Sequence, residues 1–531
     1  MTARTVVFVL SLTAALSAAP LGQGASTLAA RIDAIMARPE FRHASFGIEF
    51  YSLDTDAPLY TFNADKLFVP GSTTKLVTMG SALAILGADY RFHTRVYRTG
   101  EIGPDGVLHG DLVLRGAGDP NLSGRIRDGD TLAFENMDHT YGGPDSHGLE
   151  GDPLRVIRAL AGQVAARGVK RIDGRVIADV GLYAEGEREG GTAFVISPLM
   201  IHDNEIDMIV RPTAEGQPAR LEFSPATAYA RFVNATTTGA AGSRFDVEVL
   251  SDVTSGDGTH LVTIGGHVPV DARPVMQGYR VPEPSRYAEI VLTEALHERG
   301  IVAAARQRED KVETAALAAS YTAERALAEH VSPPLSEEVK VTLKTSHNLH
   351  ASATPYLLGA LKGEDGSLSS GFQAARRFLE TTGADVSGAS QSDGAGAVAH
   401  FTPAFMVAYL AYMAKQPFAR IFHDALPVLG RDGTLWNIQP TSAAAGHVFA
   451  KTGTYAIGNL LHGGVMITGK GLAGYMDTAD GRHLALAIYV NNVAVPDEAS
   501  VTSLVGQALG EIAAAAYDAK PERRTRTSAA K

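Results

Sequence analysis

Val69-Pro-Gly-Ser-Thr-Thr-Lys-Leu76 opens a run of Leu, Ala, Met and Lys that continues to Leu86 and stops at Gly87. Pro70-Gly71 breaks the preceding segment, so this stretch predicts a helix over 73–86 with Ser72 at its N-terminal edge. Residues i and i+3 share a helix face, which brings the Lys75 amine to the Ser72 hydroxyl. A serine hydroxyl is a poor nucleophile until a base takes its proton, and a lysine whose pKa is lowered by a neighbouring cation can serve as that base.

Two more polar clusters follow in a fixed order: Ser346-His-Asn348 and Lys451-Thr-Gly453, the latter extended by Thr454. Lys451 is the candidate neighbouring cation. Ser346 is placed to relay a proton to a leaving amine, and Asn348 to hold the base and a substrate amide. Lys451, Thr452 and Thr454 offer a cation and two hydroxyls to a free carboxylate, on a strand that contains Gly453. The backbone N–H groups of Ser72 and Thr454 suit an oxyanion hole. Each cluster alone reads more simply as a helix cap, a turn or an edge strand. All three in order, each in the right local setting, point to one catalytic constellation.

Around these clusters the chain is globular. Its 531 residues are 45% hydrophobic and 20% charged, enough for several buried cores. The net charge of −11 disfavours nucleic-acid binding, and no such partner is expected. No cysteine is present, which excludes disulfides, thiolate metal sites and a Cys nucleophile. Residues 1–25 read as a signal peptide: Arg4, an apolar stretch from Thr5 to Ala15, then small Ser17-Ala18-Ala19. A periplasmic or otherwise exported protein is expected, with no transmembrane segment in the mature chain. Strands are expected at 44–51, 59–62, 106–114, 171–178, 245–250, 260–264, 472–476 and 484–491. Helices are expected at 153–168, 286–299, 322–329, 353–361, 404–415 and 498–517, with 123–151 a long surface loop.

With its motifs in place, the sequence resembles the class C, low-molecular-mass penicillin-binding proteins, D-alanyl-D-alanine carboxypeptidases/endopeptidases. The resemblance covers most of residues 27–515. It includes Gly87-Ala-Asp-Tyr-Arg-Phe92, Asp111-Leu-Val-Leu-Arg-Gly-Ala-Gly-Asp-Pro120, Ile172-Asp-Gly174, Asp179, Asp203-Asn204, Gly430-Arg-Asp-Gly-Thr-Leu435, Gly474-Tyr475 and Val490-Asn491. Ser346 follows Lys75 by 271 positions, room for inserted domains. The resemblance implies an α/β fold, a discontinuous β-lactamase/transpeptidase-like domain with large inserted β-rich domains. Its parts are expected at 27–92 and 321–517. The insertion is expected at 93–320, with a smaller unit nested near 205–275, and a flexible basic tail at 518–531. Ser72, Lys75, Ser346, Asn348 and Lys451 are the implied catalytic residues, and Thr452, Gly453 and Thr454 the implied substrate-binding residues. Peptidoglycan peptides are the implied substrate, β-lactam antibiotics the implied covalent inhibitors, and no cofactor is needed.

The sequence departs from the family pattern at four places. His347 stands where the family usually has Asp, and Ser352 where a Glu is common. Asp393-Gly-Ala-Gly-Ala-Val-Ala399 lacks two serines and an arginine, and about ten extra residues, including Gly463-Gly464, follow Thr454. His347 with His350, and Asp138-His139 with Asp145 and His147, read as solvated loop residues, and no metal is expected. Trp436, the single tryptophan, reads as a core residue. Two rivals stand beside the peptidase: a β-lactamase or esterase on the same scaffold, and a catalytically vestigial wall-binding protein.

Overall fold

A computed structural model describes residues 27–306, 312 and 314–520; the expected signal peptide and most of the basic tail lie outside them. The framework is an antiparallel sheet in the order Ala57–Phe62, Ser45–Ser52, His483–Asn491, Val465–Asp477, Val448–Gly458. Its central strand reads Leu-Ala-Leu-Ala-Ile-Tyr-Val over 484–490, apolar at every position because both faces are covered. Leu484, Leu486, Ile488 and Val490 pack with Ile32 of the helix Leu28–Met36 and Ile512 of the helix Gln507–Tyr517. Ala485, Ala487 and Tyr489 face the opposite core, with Leu76, Val77 and Leu83 of the helix Thr74–Leu86 and Phe405, Met406 and Tyr409 of the helix Pro403–Met413.

The helix Thr74–Leu86 is buried at every position from Thr74 to Leu83, and a 3-10 turn at Gly71–Thr73 precedes it. Gly87 ends it with φ +91°, as the sequence predicts. The expected helices at 153–168, 286–299, 353–361 and 404–415 correspond to Arg155–Ala166, Pro284–Glu298, part of Asn348–Lys362, and Pro403–Met413.

A second core lies on the sheet Val176–Asp179, Leu112–Arg115, His93–Arg98, Ala326–Val331, covered by the helices Arg155–Ala166 and Pro284–Glu298. Here one expectation fails. Residues 322–329, rich in Ala, Leu and Glu, are not a helix: a 3-10 turn at Ala323–Arg325 leads into the strand Ala326–Val331. That strand pairs Ala328 with Val96 and His330 with Thr94, so the open edge of the sheet overrides local helix propensity. The chain next forms two three-stranded sheets. Glu205–Arg211 pairs with Arg220–Ser224 and Val275–Arg280, and His260–Pro269 pairs with Ala230–Gly239 and Glu248–Thr254.

The stretch 123–151 is not a surface loop either. Arg125, Asp138, His139 and Thr140 are buried, because their charges and hydroxyls find partners inside. No helix among the described residues is long and apolar enough to cross a membrane. Truncating Ile488, fully buried in the central strand, to Ala is expected to cost about 2–5 kcal/mol. A fall of that size in urea unfolding checks it, and an unchanged midpoint contradicts the placement.

Candidate active site

The strand Val448–Gly458 lies against the turn Gly71–Thr73, and glycines allow the approach. A Cβ on Gly453 would sit 2.0 Å from the Pro70 carbonyl oxygen and 3.0 Å from the Ser72 nitrogen. Gly71 has φ +52°, and a Cβ there would lie 2.5 Å from the Thr454 nitrogen. The amide groups proposed from sequence for an oxyanion hole therefore belong to two segments in direct contact.

Lys75 points from the first helical turn into a buried junction. Its Nζ lies 2.7 Å from Ser72 Oγ, 2.7 Å from the Ser346 carbonyl oxygen, 3.1 Å from Ser346 Oγ and 2.5 Å from Asn348 Oδ1. Four of the sequence-derived residues thus meet at one nitrogen. Burial pushes the Lys75 amine down to about 7, against the opposing pull of the Glu189 and Asp393 carboxylates.

Ser346 owes its position to a sharp joint. It closes the helix Leu335–Thr345 in the left-handed region (φ +66°, ψ +35°), and His347 immediately caps the helix Asn348–Lys362. A single residue thus separates the helix end from the next cap. Tyr141 donates its hydroxyl to the Ser346 carbonyl oxygen. Nothing in the sequence marked Tyr141, because its segment read as loop.

Lys451 is fully buried and donates to the Thr452 carbonyl oxygen at 2.7 Å. Burial, then repulsion from Lys75 and Lys470, holds its amine well below the usual lysine range. Lys470 is a further residue that the motifs missed. It stands opposite Thr454 in the sheet and donates to Thr454 Oγ1 at 2.8 Å; burial pushes it down to about 8. Strand register alone brings it there, so no local signal announces it. Thr452 Oγ1 bonds Thr434 Oγ1 at 2.7 Å.

These groups open on a cleft of about 790 Å³ lined by Ser72, Ser346, Asn348, Thr452, Thr454 and Lys470, with Tyr141 and Trp436 on its walls. Trp436 is 40% exposed and lines the cleft, so it is not a core residue. The altered segment 393–399 keeps a structural role. Asp393 Oδ1 accepts from the Ala395 and Gly396 amides at 2.8 and 2.5 Å, and a Cβ on Gly396 would lie 2.2 Å from the Gly71 carbonyl oxygen. His347, His350, Asp138 and His139, read as solvated, are all buried, whereas Asp145 and His147 are exposed. The buried four sit where Asn348–Lys362 meets the 138–141 turn, a contact that no sequence pattern reveals.

Residues 28–512 match the D-Ala-D-Ala carboxypeptidase 3 (S13) family. The chain belongs to that family. It is therefore a hydrolase of the carboxypeptidase type, in the class C penicillin-binding protein group that its motifs resemble. It is 29% identical over 504 residues to a D-alanyl-D-alanine carboxypeptidase of Actinomadura sp. (strain R39), covering 91% of this chain and 84% of the relative. Penicillin binding protein 4 (dacB) of Haemophilus influenzae shares the fold, with a TM-score of 0.68 at 19% identity over 92% of this chain and 98% of that one. The same protein complexed with a β-lactam gives 0.65 at 18% identity, covering 92% and 99%. The α/β, β-lactamase/transpeptidase-like fold with β-rich insertions agrees with these likenesses.

A methyl group at Gly453 must displace the strand from the Ser72 turn. Gly453→Ala is expected to slow D-alanine release from a D-Ala-D-Ala peptide by about 100-fold, the scale of a 1 Å misplacement at a reacting centre. An unchanged rate in a folded variant contradicts the close approach.

Proposed function

We propose that the protein is a serine-type D-Ala-D-Ala carboxypeptidase/endopeptidase that acts on peptidoglycan stem peptides through an acyl-enzyme, in the periplasm after loss of a leader. The observation that carries this reading is the set of contacts at Lys75 Nζ. Ser346 O and Asn348 Oδ1 have only lone pairs to offer, so they accept the two N–H bonds of a neutral amine. The amine lone pair is then left for a hydroxyl, and Ser72 Oγ lies at 2.7 Å. The Asn348 orientation follows from this network.

In the proposed reaction Ser72 Oγ attacks the carbonyl carbon between two D-alanines, and Lys75 takes its proton. The carbonyl oxygen gathers negative charge beside the Ser72 and Thr454 amides. Ser346, 3.1 Å from Lys75 Nζ, passes the proton to the departing amine as the C–N bond breaks. Water then cleaves the ester and regenerates Ser72. Lys470, Thr452 and Thr454 line the cleft where we place the free carboxylate at the end of the stem peptide, with Lys451 buried behind Thr452. We assign the reaction to residues 27–92 and 332–517. The intervening part forms the insertion, extended past 320 because Ala326–Val331 pairs with His93–Arg98. β-Lactams acylate Ser72 in this reading as mimics of the scissile amide.

Ser72→Ala is expected to abolish covalent labelling by a fluorescent penicillin, and labelling that survives sinks the assignment. Because Lys75 acts as its neutral amine, lowering the pH through about 7 protonates it and removes the base. The acylation rate is expected to fall about tenfold per pH unit below that point and to level off above it. A rate independent of pH between 5 and 8, roughly the range over which such a base must titrate, contradicts Lys75 as the base.

A further inference from the structure

Behind the cleft, a group of histidines and carboxylates is buried where the helix Asn348–Lys362 meets the 138–141 turn and the segment 202–207. Asp138, His139, Asp203, His347 and His350 are each at most 2% exposed, and the reaction proposed above uses none of them. His347 and His350 lie three residues apart on the first helical turn, so both rings reach the same neighbour. That neighbour is Asp203, whose Oδ1 lies 2.7 Å from His350 Nε2 and 3.5 Å from His347 Nε2.

We propose that Asp203, His347 and His350 form a buried site for a divalent transition-metal ion of the zinc class. Three observations carry the assignment. First, His347 Nε2 has no hydrogen-bond partner although it is wholly enclosed, and Nδ1 accepts only a long bond from the His350 amide at 3.4 Å, which the ring gives up when its proton moves to Nδ1 and Nε2 ligates. Nε2 stands 3.5 Å from Asp203 Oδ1 and 3.9 Å from Asp138 Oδ1. Those gaps are long for hydrogen bonds but suit donor atoms that share one ion at bond lengths of about 2.0–2.2 Å.

Second, the outer shell matches a metal centre. The other ring nitrogen of His350 stands 3.2 Å from Glu338 Oε1, outside hydrogen-bond geometry but where a carboxylate backs a ligating imidazole. His139 repeats the arrangement, with Nε2 on Asp203 Oδ2 at 2.8 Å and Nδ1 on Asp207 Oδ1 at 2.6 Å. Arg125 binds the Oδ2 atoms of Asp138 and Asp203; Asp203 Oδ1 faces both His347 and His350, while Asp138 Oδ1 is held by the Thr140 amide and hydroxyl.

Third, the backbone is bent to present these groups. His202, Asp203 and Asn204 are consecutive non-glycine residues in the left-handed region, with φ of +49°, +56° and +54°. Strain of that kind persists where the surroundings fix a functional side chain. Imidazole and carboxylate donors, in a chain without thiolates, suit Zn²⁺. The ion would replace the hydrogen bond between His350 and Asp203 and splay the two rings, which now stack with centroids 3.6 Å apart. Enclosed behind Ser346 and Asn348, it would clamp the helix that carries Asn348 to the inserted segment.

The test uses the full chain, stripped with a chelator, reloaded with Zn²⁺ and passed through gel filtration before elemental analysis and thermal unfolding. Wild type is expected to keep about one zinc per chain and to unfold at a higher temperature when loaded. His347→Asn, which preserves a capping side chain, is expected to keep at least about tenfold less and to lose the zinc-dependent shift. Wild type that keeps no zinc, or a folded His347→Asn that keeps as much, overturns the site. Both readouts are independent of Ser72, so the result is separate from the fate of the peptidase reading.

Discussion

A lysine amine buried against neutral oxygens is the constraint on which the rest of the structure depends. Lys75 Nζ touches two hydroxyls, one backbone carbonyl and one amide oxygen, while the Glu189 and Asp393 carboxylates act on it only through space. An ammonium in such a place loses its hydration without gaining a contact ion pair, so the balance moves toward the neutral amine. Lys451 and Lys470, buried nearby, are pushed toward the neutral amine as well, so burial, and not the neighbouring cation expected from the sequence, is what lowers Lys75. The parts of the fold can be understood as what holds this arrangement: a helix buried on all sides under Ser72, a strand edge pressed on its first turn, and a one-residue joint at Ser346.

That arrangement draws on segments far apart in the chain, and the family's insertion separates them. The insertion is no bystander. Tyr141 reaches from it to the Ser346 carbonyl oxygen, and the side chain of Asn348 lies against Gly191, where a Cβ would come within 2.7 Å of its Nδ2. The departures from the family pattern fall mostly around the site and leave Lys75's partners in place. The 393–399 segment still folds about Asp393 and still packs on Gly71, through backbone amides that need no particular side chain.

Much of this was legible in the sequence where local physics dominates. The breaker pair Pro70-Gly71 and the stop at Gly87 frame the helix under Ser72. The fully apolar run 484–490 marks a strand covered on both faces. That Ser72, Lys75, Ser346 and Asn348 come together follows from Ser72 and Lys75 sharing a helix start and from Asn348 lying two residues past the joint at Ser346. What escaped depends on long-range contact. Residues 322–329 have helical composition but meet a free sheet edge, and Lys470 enters the site only through its register opposite Thr454. The buried His and Asp residues escape sequence reading for a similar reason. Polar side chains in a Gly-rich stretch look solvated until their partners arrive from Asp203 and the helix Asn348–Lys362.

The central claim is that the Lys75 amine titrates near neutral pH, so that its free-base form is populated there, and its titration tests it most directly. NMR of the chain carrying ¹³C-labelled lysine, with the Lys75 signal identified by its loss in Lys75→Ala, reads that titration. The account predicts a midpoint of about 7. A midpoint near the ordinary lysine value of about 10.4 would contradict it.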